Sequence, residues 1–131
     1  MYIQYRVYEG VHLLNWDETD VLTVLEVIPE QEVDGIWHRY VVEKDGIQLV
    51  LTVNQYDGDV KFELTNIANG GILFSMQLID CSGVNRIDNE SGEYLEFAPS
   101  RCFGSRYDDW KSIEFGVRVS IKPSINISIF G

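Results

Sequence analysis

The stretch Ile36–Leu78 reads IWHRYVVEKDGIQLVLTVNQYDGDVKFELTNIANGGILFSMQL. Three Asx-Gly pairs, Asp45-Gly46, Asp57-Gly58 and Asn69-Gly70, punctuate it at a constant spacing. Apolar and polar residues alternate between them. Ile36, His38, Tyr40 and Val42 share one face of a first strand, and Trp37, Arg39, Val41 and Glu43 the other. Ile47, Leu49, Leu51 and Val53 form the apolar face of a second strand. Val60, Phe62 and Leu64 form that of a third, and Ile72, Phe74, Met76 and Leu78 that of a fourth. Period-two patterning with a polar face is the mark of half-buried antiparallel strands. Asx-Gly pairs tolerate the positive φ values of type I′ hairpin turns. Residues 36–79 therefore read as an antiparallel meander. The arms share no residue-level similarity, so the spacing is a hairpin length and not a solenoid repeat.

Working outward, Ser91-Gly92 reads as another turn, between a short strand near Val84–Ile87 and one over Glu93–Ala98. Pro99 to Asp109 reads as a long loop. Alternation resumes over Ile113–Ile121, breaks at Lys122-Pro123-Ser124, and resumes over Ile125–Phe130 as a C-terminal hairpin. Tyr2 to Tyr8 alternates and reads as a first strand. Residues 17–28 fit two patterns. Val21, Val24, Leu25 and Ile28 make a helical stripe, with Asp17 or Thr19 as N-cap and Pro29 as a stop. The β-branched residues Val21, Thr23, Val24, Val27 and Ile28 favour a strand, which is the expectation adopted. The whole is expected to be one all-β domain over residues 1–131, an antiparallel meander of about eight to ten strands. A closed or partly closed barrel, or a two-sheet sandwich, would hide the sheet edges, and the run of sequential hairpins favours a barrel-like meander over a Greek key.

The chain has 131 residues, 45% of them hydrophobic, enough for one core. No apolar run approaches the ~20 residues of a membrane-spanning helix. The N-terminus lacks a signal-peptide pattern, which points to the cytoplasm. Cys81 and Cys102 are expected to be free thiols. No Cys/His spacing for zinc is present, and no nucleotide-binding or zincin motif. Asp57-Gly58-Asp59 lacks the further acids of a calcium loop. No cofactor, metal or catalytic residue is assigned. Two glycosylation sequons, at Asn89 and Asn126, are chance matches without a secretory route.

Net charge is −11, and it is concentrated early. Residues 1–65 hold thirteen acidic and four basic side chains, and Val7 to His38 holds no Lys or Arg. Such a balance repels nucleic acid and anionic membrane and attracts a basic protein. Aromatic residues cluster in the same half: Tyr2, Tyr5, Tyr8, Trp16, Trp37, Tyr40 and Tyr56. Trp16, Trp37, His38 and Tyr40, with Asp17, Glu18, Asp20 and Asp34, are the candidate binding residues, as an aromatic surface beside carboxylates. His38 sits in the apolar register of its strand and reads as a core histidine. Its sharper reading is a general base with Asp34 or Glu43. The functional expectation is a non-enzymatic interaction module of immunity or inhibitor type that meets a basic partner. The alternative is a small-molecule or carbohydrate-binding β-barrel or sandwich module. The uncharged strand Ile125–Phe130, placed on an open edge, would invite homodimerisation.

Overall fold

The computed structural model describes residues 14–99 and 115–131. The strand expected over residues 1–8, the aromatic residues Tyr2, Tyr5 and Tyr8, Cys102 and all but the first residue of the expected 99–109 loop lie outside them. The described chain runs α1 (Glu18–Leu25), β1 (Glu30–Gln31), β2 (Trp37–Lys44), β3 (Ile47–Asn54), β4 (Asp59–Asn66), β5 (Ile72–Leu78), β6 (Gly83–Asn89), β7 (Gly92–Ala98), β8 (Gly116–Ser120) and β9 (Asn126–Phe130). All pairings between these strands are antiparallel. They form a five-stranded sheet, β1-β2-β3-β4-β5, and a four-stranded sheet, β6-β7-β8-β9. The expected meander is present, and so is the all-β class. Of the barrel and the two-sheet sandwich, the sandwich is the arrangement present: among the described residues each sheet is open, and the two stack face to face through Phe62 and Phe97.

The alternation decides which face goes inside. His38, Tyr40 and Val42 of β2, Leu49, Leu51 and Val53 of β3, and Val60 and Phe62 of β4 are buried. From the other sheet come Val84, Leu95, Phe97, Val117 and Val119. Phe62 and Phe97 meet edge to face at 5.0 Å, joining the sheets at the middle of the core. Each such ring removed from water contributes roughly 1.5–3 kcal/mol.

The turns are less uniform than the sequence suggests. At Asp45-Gly46 both residues have positive φ, 55° and 80°, as a type I′ turn requires. The other two are longer loops in which only the glycine has positive φ. Gly58 N–H donates to the Asn54 carbonyl at 2.8 Å, and Gly70 N–H to that of Asn66 at 2.7 Å. Gly58 also touches the chain between the sheets. Cys81 N–H donates to its carbonyl at 2.7 Å, and Asp80 N–H to the Asp59 carboxylate at 3.2 Å. Asp57-Gly58-Asp59 is thus a joint to the crossover segment. Cys81 is buried, and its thiol donates to the Gly83 carbonyl at 3.4 Å.

The strand expected over residues 17–28 is corrected to a helix, Glu18–Leu25. Asp17 caps it, accepting from Thr19 N–H at 2.9 Å. Val21, Val24 and Leu25 are buried, and the helix lies against β6 and β7. That burial outweighs the β preference of the branched residues, which is a weak prior beside packing. No described helix is long and apolar enough to cross a membrane.

Candidate functional site: an acidic and aromatic groove at the start of the helix

The segment before α1 is held between the two sheets. Leu14 N–H donates to the Gln55 carbonyl at 2.9 Å, and Val84 N–H to that of Asn15 at 3.0 Å. This brings the helix start beside the β3–β4 loop. Between them lies an open groove of ≈ 750 Å³, lined by Leu14, Trp16, Asp17, Glu18, Thr19, Gln55 and Tyr56.

Two buried side chains of β2 support the groove from below. Alternation sends His38 and Tyr40 inward from the same face of the strand. The edge of one ring meets the face of the other between Trp16 and His38, with centroids 5.0 Å apart. His38 Nε2 faces a Glu18 carboxylate oxygen at 3.4 Å. The imidazole is almost wholly buried, whereas half of the Glu18 side chain remains exposed. Neither His38 Nδ1 nor the Tyr40 hydroxyl has a hydrogen-bond partner among the described residues. Burial, and secondarily the charge of Glu18, push the Tyr40 phenol well above the ordinary tyrosine range.

Several carboxylates outside the groove are paired with Lys or Arg. Glu30 pairs with Arg39, Glu26 with Lys122, Glu93 and Asp88 with Arg86, and buried Glu96 with Arg118. Lys44 donates instead to the Ile121 carbonyl at 2.8 Å. No described Lys or Arg forms an ion pair with Asp17 or Glu18. Their positions follow from the helix: acids in the first turn complement its positive end.

Of the eight candidate residues, Trp16, Asp17, Glu18, His38 and Tyr40 come together here. Trp37 occupies the opposite register of β2 from His38 and Tyr40. Asp34 is exposed in the turn after β1, closed by Gly35 N–H donating to Glu32 at 2.8 Å. Asp20 acts on Arg86, away from the groove lining. The carboxylate facing His38 is Glu18, not Asp34 or Glu43. Leu14, Gln55 and Tyr56 join the site without having been expected there. Tyr56 was legible only as a member of the aromatic-rich half, and Gln55 carried no signal; its amide donates to the Gly35 carbonyl. No group of three metal-ligating side chains occurs among the described residues.

No family model and no curated protein matches the chain. Among solved structures, a chain of the contact-dependent growth inhibition toxin–immunity protein complex from Klebsiella pneumoniae 342 is similar in fold. The TM-score is 0.69 at 16% identity, over 90% of this chain and 96% of that one.

Proposed function

We propose that this protein is a non-enzymatic interaction module of immunity type, which binds a basic protein through the face around the start of α1. The observation that carries the reading is the pair of carboxylates, Asp17 and Glu18, held beside Trp16 with no described Lys or Arg paired to either. Acids left unneutralised on a preformed aromatic surface favour a cationic partner and speed its encounter. The likeness to a chain from a toxin–immunity complex supports a protein partner, and the net charge of −11 favours the neutralising side of such a pair. Burial of His38 beneath Trp16 keeps its imidazole from a substrate, which supports a binding role over a catalytic one. For the alternative of a small-molecule or sugar module, Tyr40, Phe62 and Phe97 are fully buried within the sandwich, and the groove would offer such a ligand the aromatic side chains of Trp16 and Tyr56. Self-association is a separate proposal. β9 is the last described strand of its sheet, carries no charge, and leaves Ile129 exposed.

The test is affinity capture from the source cell at low salt, with bound proteins identified and each then purified. A basic partner is expected whose affinity for the chain falls steeply between 50 and 300 mM salt, values chosen around ~0.15 M, where the Debye length is about 8 Å. Co-expression with the chain should relieve any toxicity of that partner. Recovery of acidic or neutral partners alone, or of a basic one indifferent to salt, would sink the reading.

A further inference from the structure

The groove is built more like a receptacle for one side chain than like a diffuse acidic surface. Asp17 is fixed by its own capping bond to Thr19 N–H. Glu18 is steadied on one side by the buried imidazole of His38 at 3.4 Å, leaving its other side open. Trp16 is oriented by its edge-to-face contact with the same imidazole. Gln55, opposite, is tethered through its amide to the Gly35 carbonyl, and Tyr56 beside it is exposed. Every one of these is a lining residue or holds one. Side chains ordered in advance lose little further freedom on binding, so their contacts are expressed more fully as affinity.

We infer that this groove takes a single arginine side chain of the partner. The inference rests on the reading of the chain as a binder of basic protein, and adds to it the chemistry of the contact. A guanidinium is a planar cation, weakly hydrated, able to stack on an aromatic ring while its fork of N–H donors meets carboxylates. The groove supplies both kinds of surface at once: two indole or phenol faces and two carboxylates. A lysine ammonium fits the charge but not the stacking. A calcium ion would need six to eight oxygens, and two carboxylates with one amide fall short of that. A neutral sugar would stack but would bring no charge to the two carboxylates.

The experiment uses the full chain, labelled with ¹⁵N, and three probes: acetyl-Gly-Arg-Gly-amide, its lysine counterpart and its citrulline counterpart. Citrulline keeps the shape and removes the charge. The arginine peptide should shift the Trp16 indole N–H and the backbone amides of residues 16–19 and 55–56. The lysine peptide should bind more weakly and the citrulline peptide should not saturate. Glu18→Gln and Asp17→Asn should each weaken the arginine peptide about fivefold, the scale of one modest charge contact. Asparagine still caps a helix, and unchanged amide dispersion elsewhere will show that both variants fold. Shifts scattered over the acidic surface, equal binding of citrulline, or undiminished binding by both variants would overturn the inference. If the arginine peptide misses the groove while a basic protein is still captured in a salt-dependent way, the receptacle falls and the wider reading stands. If the peptide binds the groove and no basic protein is captured, the wider reading falls alone.

Discussion

Gly58 and Gly46 occupy turns that look interchangeable in sequence, and replacing each with alanine separates them. Both have positive φ, 76° and 80°. An L-residue held in that region costs about 1 kcal/mol on backbone grounds. At Gly46 an added Cβ meets nothing within 4 Å, so Gly46→Ala should cost about that much and no more. At Gly58 the new Cβ would sit 3.0 Å from the Cys81 carbonyl oxygen and 3.3 Å from the Cys81 nitrogen. Both are backbone atoms and cannot rotate away. The crossover must shift, and the 2.7 Å bond from Cys81 N–H to Gly58 is stretched with it. Displacing packed backbone and weakening one buried hydrogen bond adds about 1–2 kcal/mol. Gly58→Ala should therefore lose about 2–3 kcal/mol in all, against about 1 for Gly46→Ala. Urea unfolding followed by tryptophan fluorescence and far-UV circular dichroism gives both values, provided the two probes coincide. A difference between the variants below about 0.5 kcal/mol, the usual error of such comparisons, would refute the claim that this turn is a joint. The same substitution should move the amide signals of Gln55 and Tyr56, because the joint also positions one wall of the groove.

Two other outcomes can be checked. Tyr40→Phe deletes a buried hydroxyl that has no partner among the described residues, so it should hold or raise stability by up to about 1 kcal/mol at neutral pH; a loss larger than that would mean the hydroxyl is bonded. The phenol is held above its ordinary range in the folded chain, so the unfolded chain ionises first, and stability contributed by the neutral form is lost as pH rises through about 10. The urea midpoint of the parent should accordingly fall more steeply above that pH than that of Tyr40→Phe, and parallel curves would contradict the burial argument. At the sheet edge, Ile129→Lys places a charge on uncharged β9, and should abolish a concentration-dependent dimer seen by sedimentation equilibrium in the parent. A parent that stays monomeric at high concentration removes the proposal of strand pairing.

The meander was legible because two independent signals agreed. Turn residues marked where the chain reverses, and alternation marked which side faces in. The pairing of His38 with Val53 and of Leu51 with Phe62 follows from the two together. The helix was legible only as one of two patterns, because Val21, Thr23 and Val24 pull toward strand locally while the burial that decides the matter comes from β6 and β7, distant in sequence. The division into two sheets was likewise legible only as one of two ways to close the meander. The crossover Ile79–Ser82 has no glycine or proline, and Asp80, which adopts positive φ there, is a lone turn-prone residue that does not by itself mark a reversal. Of the site, charge and aromatic content pointed to the right segment, Trp16 to Glu18, and register placed His38 and Tyr40 inside. Gln55 and Tyr56 could not be added from sequence, because their membership depends on a backbone bond from Leu14 across the fold.

That bond belongs to a clasp with a consequence for the order of assembly. Hairpins such as β2–β3 close short loops and can form early. The contacts of Leu14 with Gln55, and of Asn15 with Ser82 and Val84, join chain positions far apart, so the entropy of closing their loops must be overcome before they contribute anything. The clasp should be the last part to set, after both sheets exist to receive it. Because it carries Trp16, Asp17 and Glu18 to their places, the groove does not exist in a chain that has formed its hairpins but not its clasp. Competence to bind is in this sense a late product of folding, and it reports that the two sheets have docked.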